Sequence, residues 1–253
     1  MGFYDLSKSE RESKVNLIYK ALETDLLSNQ NTQFLPFFSD EDTYIRKAAY
    51  IQTGRLYFKA QNYKQQLLER LFDYLQHPDF KVRQTAVNAG GEIGMKEFAP
   101  IHAMLDMALF DAHHSVRNAV IGSVKKIGQK NPKPMLAWAS QYLHHPDKEI
   151  RREICHGIEL RGRTHPQDIL PLLQQLEWDK TARVKNTLIH VIGQIAYKKG
   201  CLETVLSHLD NWENKELVAK AYLEIIDVHD RYKNFAFYSQ KEATKIINKP
   251  SKN

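Results

Sequence analysis

The stretch HHPDKEIRREICHGIELRG, residues 144–162, holds the pattern on which most of the chain is built. His145-Pro146-Asp147 interrupts the preceding helical periodicity, because proline disfavours the α conformation in the residue before it and Asp147 is a good helix N-cap. Ile150, Ile154 and Ile158 then recur at every fourth residue on one helical stripe, and Gly162 is placed to close the helix as a C′ residue. Outward steps of 34 residues find the same arrangement, with Val82, Val116, Val184 and Val218 aligned on Ile150. The next residue is Arg83, Arg117, Arg151 and Lys185, lapsing to Ala219 in the last copy, while Gly94, Gly128 and Ala196 align with Gly162. A fixed period in the range of roughly 20–50 residues marks a solenoid, in which each unit packs on its neighbours.

Each unit reads as two helices. Pro132–His144 carries Met135, Leu136, Trp138, Ala139, Tyr142 and Leu143 at helical spacing, and the second helix begins near Lys148. The same reading predicts first helices near 61–76, 97–110, 165–177 and 200–211. It predicts second helices near 42–59, 80–95, 114–129, 180–198 and 215–231. Ser9–Ser28 is helical by pattern and is assigned as the first helix of an opening unit; 235–247 reads as a cap helix, with the last few residues expected to fray. No sustained alternation or hairpin turn suggests a strand. The expected fold is all-α, an α-α superhelix of about six antiparallel helix pairs. It forms a single domain over 1–253, with a helix pair at about 9–60 and regular repeats at about 61–231.

Composition narrows the partners only modestly. The net charge is +6, from 36 basic against 30 acidic residues, which permits an acidic partner without demanding one. Cys155 and Cys201 form no C-x-x-C or zinc spacing, so free thiols in a reducing compartment are expected. No apolar run reaches the roughly 18 residues of a membrane span, and the N-terminus does not resemble a signal peptide. The expected setting is cytoplasmic, with no membrane, metal or cofactor.

A period of 34 also suits tetratricopeptide repeats, but their Leu-Gly signature is missing from the first helices. The recurring mark is an Asp followed by Val-Arg at the start of the second helix: Asp42–Ile45-Arg46, Asp79–Val82-Arg83, Asp111–Val116-Arg117, Asp147–Ile150-Arg151 and Asp179–Val184-Lys185. This resembles the HEAT repeat over roughly residues 35–230. The resemblance implies that the Asp lies in the turn and that Arg46, Arg83, Arg117, Arg151 and Lys185 form a structural ladder between units. It also implies that second helices line a concave surface.

Aligning the second helices separates two stripes. Val82/Val116/Ile150/Val184/Val218, Ala86/Val120/Ile154/Leu188/Tyr222 and Gly90/Val124/Ile158/Ile192/Ile226 form the core stripe, extended by Ile93, Ile127 and Ile195. The polar stripe runs through Gln84/Asn118/Arg152/Asn186/Lys220, Asn88/Gly122/His156/His190/Glu224, Gly91/Lys125/Glu159/Gly193/Asp227 and Met95/Gln129/Arg163/Tyr197/Arg231. Its candidate partner-binding residues are Asn118, Lys125, Arg152, His156, Arg163, Asn186 and His190, whose amide, guanidinium and imidazole groups suit polar and phosphate contacts.

Other motifs point away from catalysis. His113-His114 and His144-His145 sit in turns, and Asp227-Val228-His229-Asp230 cannot present all its ligand-type residues on one helical face. No Walker A, Gly-x-Gly-x-x-Gly or Gly-x-Ser-x-Gly sequence occurs, and no His-Glu pair of the kind HEAT-repeat iron hydroxylases use. Trp138, Trp178 and Trp212 are expected on first helices. The stretch from Asn131 to Trp212 also resembles HEAT-like alkylpurine DNA glycosylases, through Asn131-Pro132, Trp138-Ala139, Ile150-Arg151-Arg152 and Asp168–Leu173. That resemblance implies duplex DNA in a basic groove and an Asp beside Trp residues that stabilises a cationic sugar. The corresponding positions here are Leu109-Phe110-Asp111, where only Asp111 matches. The leading expectation is a non-catalytic scaffold with a protein partner; the alternative is a duplex-DNA-binding protein related to those glycosylases.

Overall fold

A computed structural model describes residues 2–249; the final residues expected to fray lie outside that range. The chain divides into two compact units, 1–131 and 132–253. Among the described residues every regular element is a helix. The first unit holds α1 (Lys8–Leu27), α2 (Leu35–Ser39), α3 (Thr43–Lys59), α4 (Lys64–Tyr74), α5 (Phe80–Gly94), α6 (His102–Leu109) and α7 (His114–Lys130), with short 3-10 turns at Phe3–Asp5 and Gln61–Tyr63. The second holds α8 (Pro132–Ser140), α9 (Lys148–Gly162), α10 (Pro166–Gln174), α11 (Ala182–Gln194), α12 (Cys201–Leu209), α13 (Lys215–Arg231) and α14 (Gln240–Ile247).

Local chemistry starts the second helices where the periodicity predicts. Asp42, Asp79 and Asp147 accept the backbone N–H two residues on, each at 2.8 Å. These bonds satisfy amides that a helix start otherwise leaves unpaired. At α7 the cap is His113, whose Nδ1 accepts from the Ser115 N–H at 3.2 Å. Asn214 caps α13 through the Leu217 N–H at 3.1 Å.

In the first unit α1 packs along α3, α3 along α5 and α5 along α7. The five-residue α2 touches α3 and α5, as α6 touches α5 and α7. The row of first helices is therefore α2, α4 and α6. Helix α1, which the periodicity assigns to that row, stacks on α3 as a preceding second helix would. In the second unit α9, α11 and α13 stack in turn, and α14 packs on α13.

The core stripe is buried as its columns predict, from Val82 and Val116 through Ile150, Val184 and Val218. In the last copy Tyr222 and Ile226 are only half-buried, while Ala221 and Ile225 are fully buried. Among the described residues the short α14 packs on α13 and leaves the outer edge of that stripe open.

Glycines behave differently from expectation at two places. Gly162 ends α9 inside the helix rather than beyond it in a left-handed conformation; among the described glycines only Gly200 has positive φ, at 74°. Gly162 is small because a Cβ there would lie 2.3 Å from Ile169 and 2.8 Å from Ile195. Gly91 and Gly193, placed on the polar stripe by alignment, are buried in the seam between neighbouring second helices. A Cβ on Gly91 would meet Ser123 Oγ at 2.5 Å, and one on Gly193 would meet Glu224 Cγ at 2.6 Å.

Candidate functional site

The recurring arginines are held by their own turns, and Arg83 and Arg151 by the next turn as well. Nη1 of Arg46, Arg83, Arg117 and Arg151 donates to the carbonyls six and five residues earlier, at 2.5–3.2 Å in each copy. Arg83 and Arg151 also reach the next turn. Arg83 Nε and Nη2 bond Asp111 at 2.7 and 3.0 Å; Arg151 Nε and Nη2 bond Asp179 at 2.6 and 3.3 Å. Such paired contacts use the planar guanidinium fork.

The Asp residues that look alike in sequence therefore do two jobs. Asp42, Asp79 and Asp147, four residues before the Arg position, cap their own helix. Asp111 and Asp179, six residues before it, receive the previous unit's Arg and also accept the N–H of His113 and Thr181. Burial pushes both of these carboxyls up, but the Arg and backbone bonds outweigh it and hold them below the usual carboxylate range. His77 and His145 occupy the same position in alternate units, where Nδ1 accepts the N–H of Asp79 and of Asp147 at 3.1 Å. Lys185 departs from the ladder. It makes no side-chain hydrogen bond or ion pair among the described residues and instead lines a groove between α11 and α13.

The polar stripe of the second unit is internally compensated. Arg152 bonds Glu149 at 2.9 Å and Glu153 at 3.4 Å. Arg163 clasps Glu159 at 2.5 Å and the Gln194 Oε1 of the next second helix at 2.8 Å. His156 Nε2 lies 3.2 Å from the other Glu159 oxygen, and His190 Nδ1 lies 3.4 Å from Glu224. Arg231 pairs with Glu224 and Asp227. Glu159, which alignment places on the polar stripe, is 1% exposed. Arg163 and Glu159, with Gln194, thus form a clasp between α9 and α11, and reversing Arg163 would set a second acid beside the buried Glu159. Asn186 is exposed and His190 half-buried; Asn186 and Ile189 line two neighbouring recesses, one with Lys185 and Lys220 and the other with His190, Glu224 and Asp227. In the first unit Asn118 is exposed and Lys125 half-buried on α7.

The remaining motifs have structural roles. His113 stacks on Phe80 at 3.7 Å between ring centroids. His229 is fully buried, with its Nδ1–H donating to the Ile225 carbonyl at 2.8 Å, while Asp227 and Asp230 point to solvent. Among the described residues no group of three or more His, Cys, Asp or Glu is arranged to hold a metal ion. Asp111, the one match to the glycosylase pattern, is committed to Arg83. Trp138 is on α8, but Trp178 and Trp212 lie in the turns after α10 and α12. Trp212 is fully buried with its Nε1–H on His208 Nδ1 at 2.9 Å, whereas Trp178 is 63% exposed. Both cysteines are buried free thiols, and burial pushes the Cys155 thiol well up. No helix among the described residues is long and apolar enough to cross a membrane.

The model of the family described as HEAT repeats matches residues 32–125. Among solved structures, a HEAT-like repeats protein from Thermococcus onnurineus NA1 aligns with 18% identity over 96% of each chain, with a TM-score of 0.40. An engineered protein aligns with 14% identity over 84% of this chain and 93% of its own, with a TM-score of 0.36. No curated protein matches the chain at a significant level.

Proposed function

Taking the chain as a HEAT-repeat protein, we propose that it is a non-catalytic scaffold that holds a protein partner on the exposed faces of its second helices. Asn118 in the first unit, and Asn186 and His190 in the second, are the contact residues in this reading. Arg152, His156 and Arg163 shape the face by fixing Glu149, Glu153 and Glu159. Lys125 contributes from α7.

The observation that supports a protein over duplex DNA is the charge pairing of the second unit. Arginines that neutralise phosphates must be free to exchange counterions for the polyanion. Here Arg152, Arg163 and Arg231 each already bond a carboxylate of the same face. A surface of alternating, mutually satisfied charges and exposed amides suits the polar rim of a protein interface.

Two measurements test the reading. Fluorescence anisotropy with a labelled 20-base-pair duplex at about 50 mM salt should give no saturable binding; tight binding that falls steeply with salt would replace this reading with a nucleic-acid one. Asn118→Trp and Asn186→Trp place a large side chain at exposed positions without disturbing the core. Each should reduce recovery of a co-purifying partner while the circular dichroism stays unchanged. Undiminished recovery with both changes would remove these faces from the interface.

A further inference from the structure

The polar stripe has a continuation in the first unit that the 34-residue alignment passes over, because the step from Ile45 to Val82 is longer. Lys47 on α3 stands where Gln84, Asn118 and Arg152 stand in later copies. Between α1 and α3 this face opens into a cavity of about 240 Å3. The 3-10 turn Phe3–Asp5 walls one side. Asp42 holds that turn against α3 by accepting the Phe3 N–H at 2.5 Å and the Tyr44 N–H at 2.8 Å.

The floor and the rim differ in chemistry. Phe3, Val15, Ala48 and Ile51 make an apolar floor. Lys47 and Arg55 line this cavity, Lys8 and Arg11 line an adjoining recess that shares Phe3, Tyr4, Val15 and Arg55 with it, and none of the four forms an ion pair among the described residues. Arg11 lies 5.4 Å from the Tyr4 ring centroid, and Arg55 bonds only the neutral Gln52 at 3.5 Å. Glu12 lines the adjoining recess, and the carboxylates of Asp5 and Asp42 at the turn accept backbone N–H groups. In contrast to the second unit, where the stripe arginines are paired with acids, the cations of this groove outnumber its acids and form no ion pair among the described residues.

We propose that the α1–α3 groove binds an acidic peptide segment of a partner protein, seating one apolar side chain on the Phe3–Ile51 floor between flanking carboxylates. The proposal rests on the reading that the protein engages a protein partner. A recess between helices receives a side chain, with the cations placed to meet acids on either side of it. Nucleic acid fits less well, because successive bases need free aromatic faces. Tyr4 is already engaged by Arg11 and by Tyr44, whose ring lies 4.3 Å away edge to face.

The test is selection of a random dodecapeptide library on the intact protein, followed by anisotropy on the retained peptides. Lys47→Glu with Arg55→Glu serves as the comparison protein. Both side chains are exposed, so the variant should fold, as circular dichroism would check. The expected peptides carry Asp or Glu on both sides of a Leu, Phe or Trp, and the variant should bind them roughly tenfold more weakly. Peptides that bind the variant equally well would overturn the groove assignment and leave the protein-partner reading standing. Retention of no acidic peptide would also overturn the assignment. Preference for a labelled single-stranded oligonucleotide, lost in the same variant, would overturn both.

Discussion

Replacing Arg151 by Met should cost clearly more than replacing Arg46 by Met, and the difference isolates what Asp179 adds to the ladder. Arg46 and Arg151 make the same two carbonyl bonds within their own turns. Arg151 alone of the two also holds a carboxylate, with side-chain exposures of 14% for Arg151 and 5% for Asp179. Loss of two bonds from a guanidinium to partly solvated carbonyls costs about 1 kcal/mol net. Breaking a buried ion pair by deleting one partner costs about 3–5 kcal/mol. Asp179 keeps the Thr181 N–H at 2.8 Å and the Thr181 hydroxyl at 2.7 Å, so the orphaned acid is partly satisfied. The lower end applies, about 3 kcal/mol for Arg151→Met against about 1 for Arg46→Met. Urea denaturation followed by circular dichroism measures both, with Asp179→Asn and the double variant completing a cycle whose coupling should be about 1–2 kcal/mol. Equal losses for Arg46→Met and Arg151→Met, or a coupling near zero, would refute the distinction between capping and ladder aspartates.

Three further outcomes follow from the same geometry. Asp111 and Asp179 have folded-state carboxyls held below the usual range, so their stabilisation is fully present above about pH 4 and is lost as pH falls through the depressed values. Acid titration of stability should therefore be steep in the wild type and flatter in Asp111→Asn/Asp179→Asn; an unchanged acid limb would count against both pairs. Gly91→Ala should destabilise by about 1–3 kcal/mol through overpacking, since Ser123 Cβ would lie 2.8 Å from the new methyl group, and chemical denaturation would expose a smaller effect. Iodide should quench only the Trp178 component of the fluorescence, because Trp138 and Trp212 are buried; Trp178→Phe should abolish the quenchable fraction.

The division of labour between sequence and structure is visible at particular residues. Val82, Val116, Ile150, Val184 and Val218 declare the repeat because each unit must bury the same stripe against its neighbours, and that demand recurs along the chain as a period. The N-caps at Asp79 and Asp147 are equally legible, since capping acts over two or three residues. What periodicity cannot separate is a residue's own turn from the next one: Asp111 and Asp147 look alike in sequence, yet one serves the previous unit and the other its own helix. Lys185 follows the pattern in sequence and leaves it in space. Glu159, Gly91 and Gly193 sit in polar-stripe columns but are buried, because stacked second helices close a seam along one edge of that stripe. The pairing of Arg152 with Glu149 and of Arg163 with Glu159 follows helical i,i+3 and i,i+4 spacing within the sequence, whereas the burial of Glu159 does not. The repeat itself is local and cumulative, so the sequence alone determined the stacked helix pairs of each unit. Only the tertiary structure decided contacts such as Arg151–Asp179, His190–Glu224 and Arg163–Gln194, because these join side chains of different helices and turns.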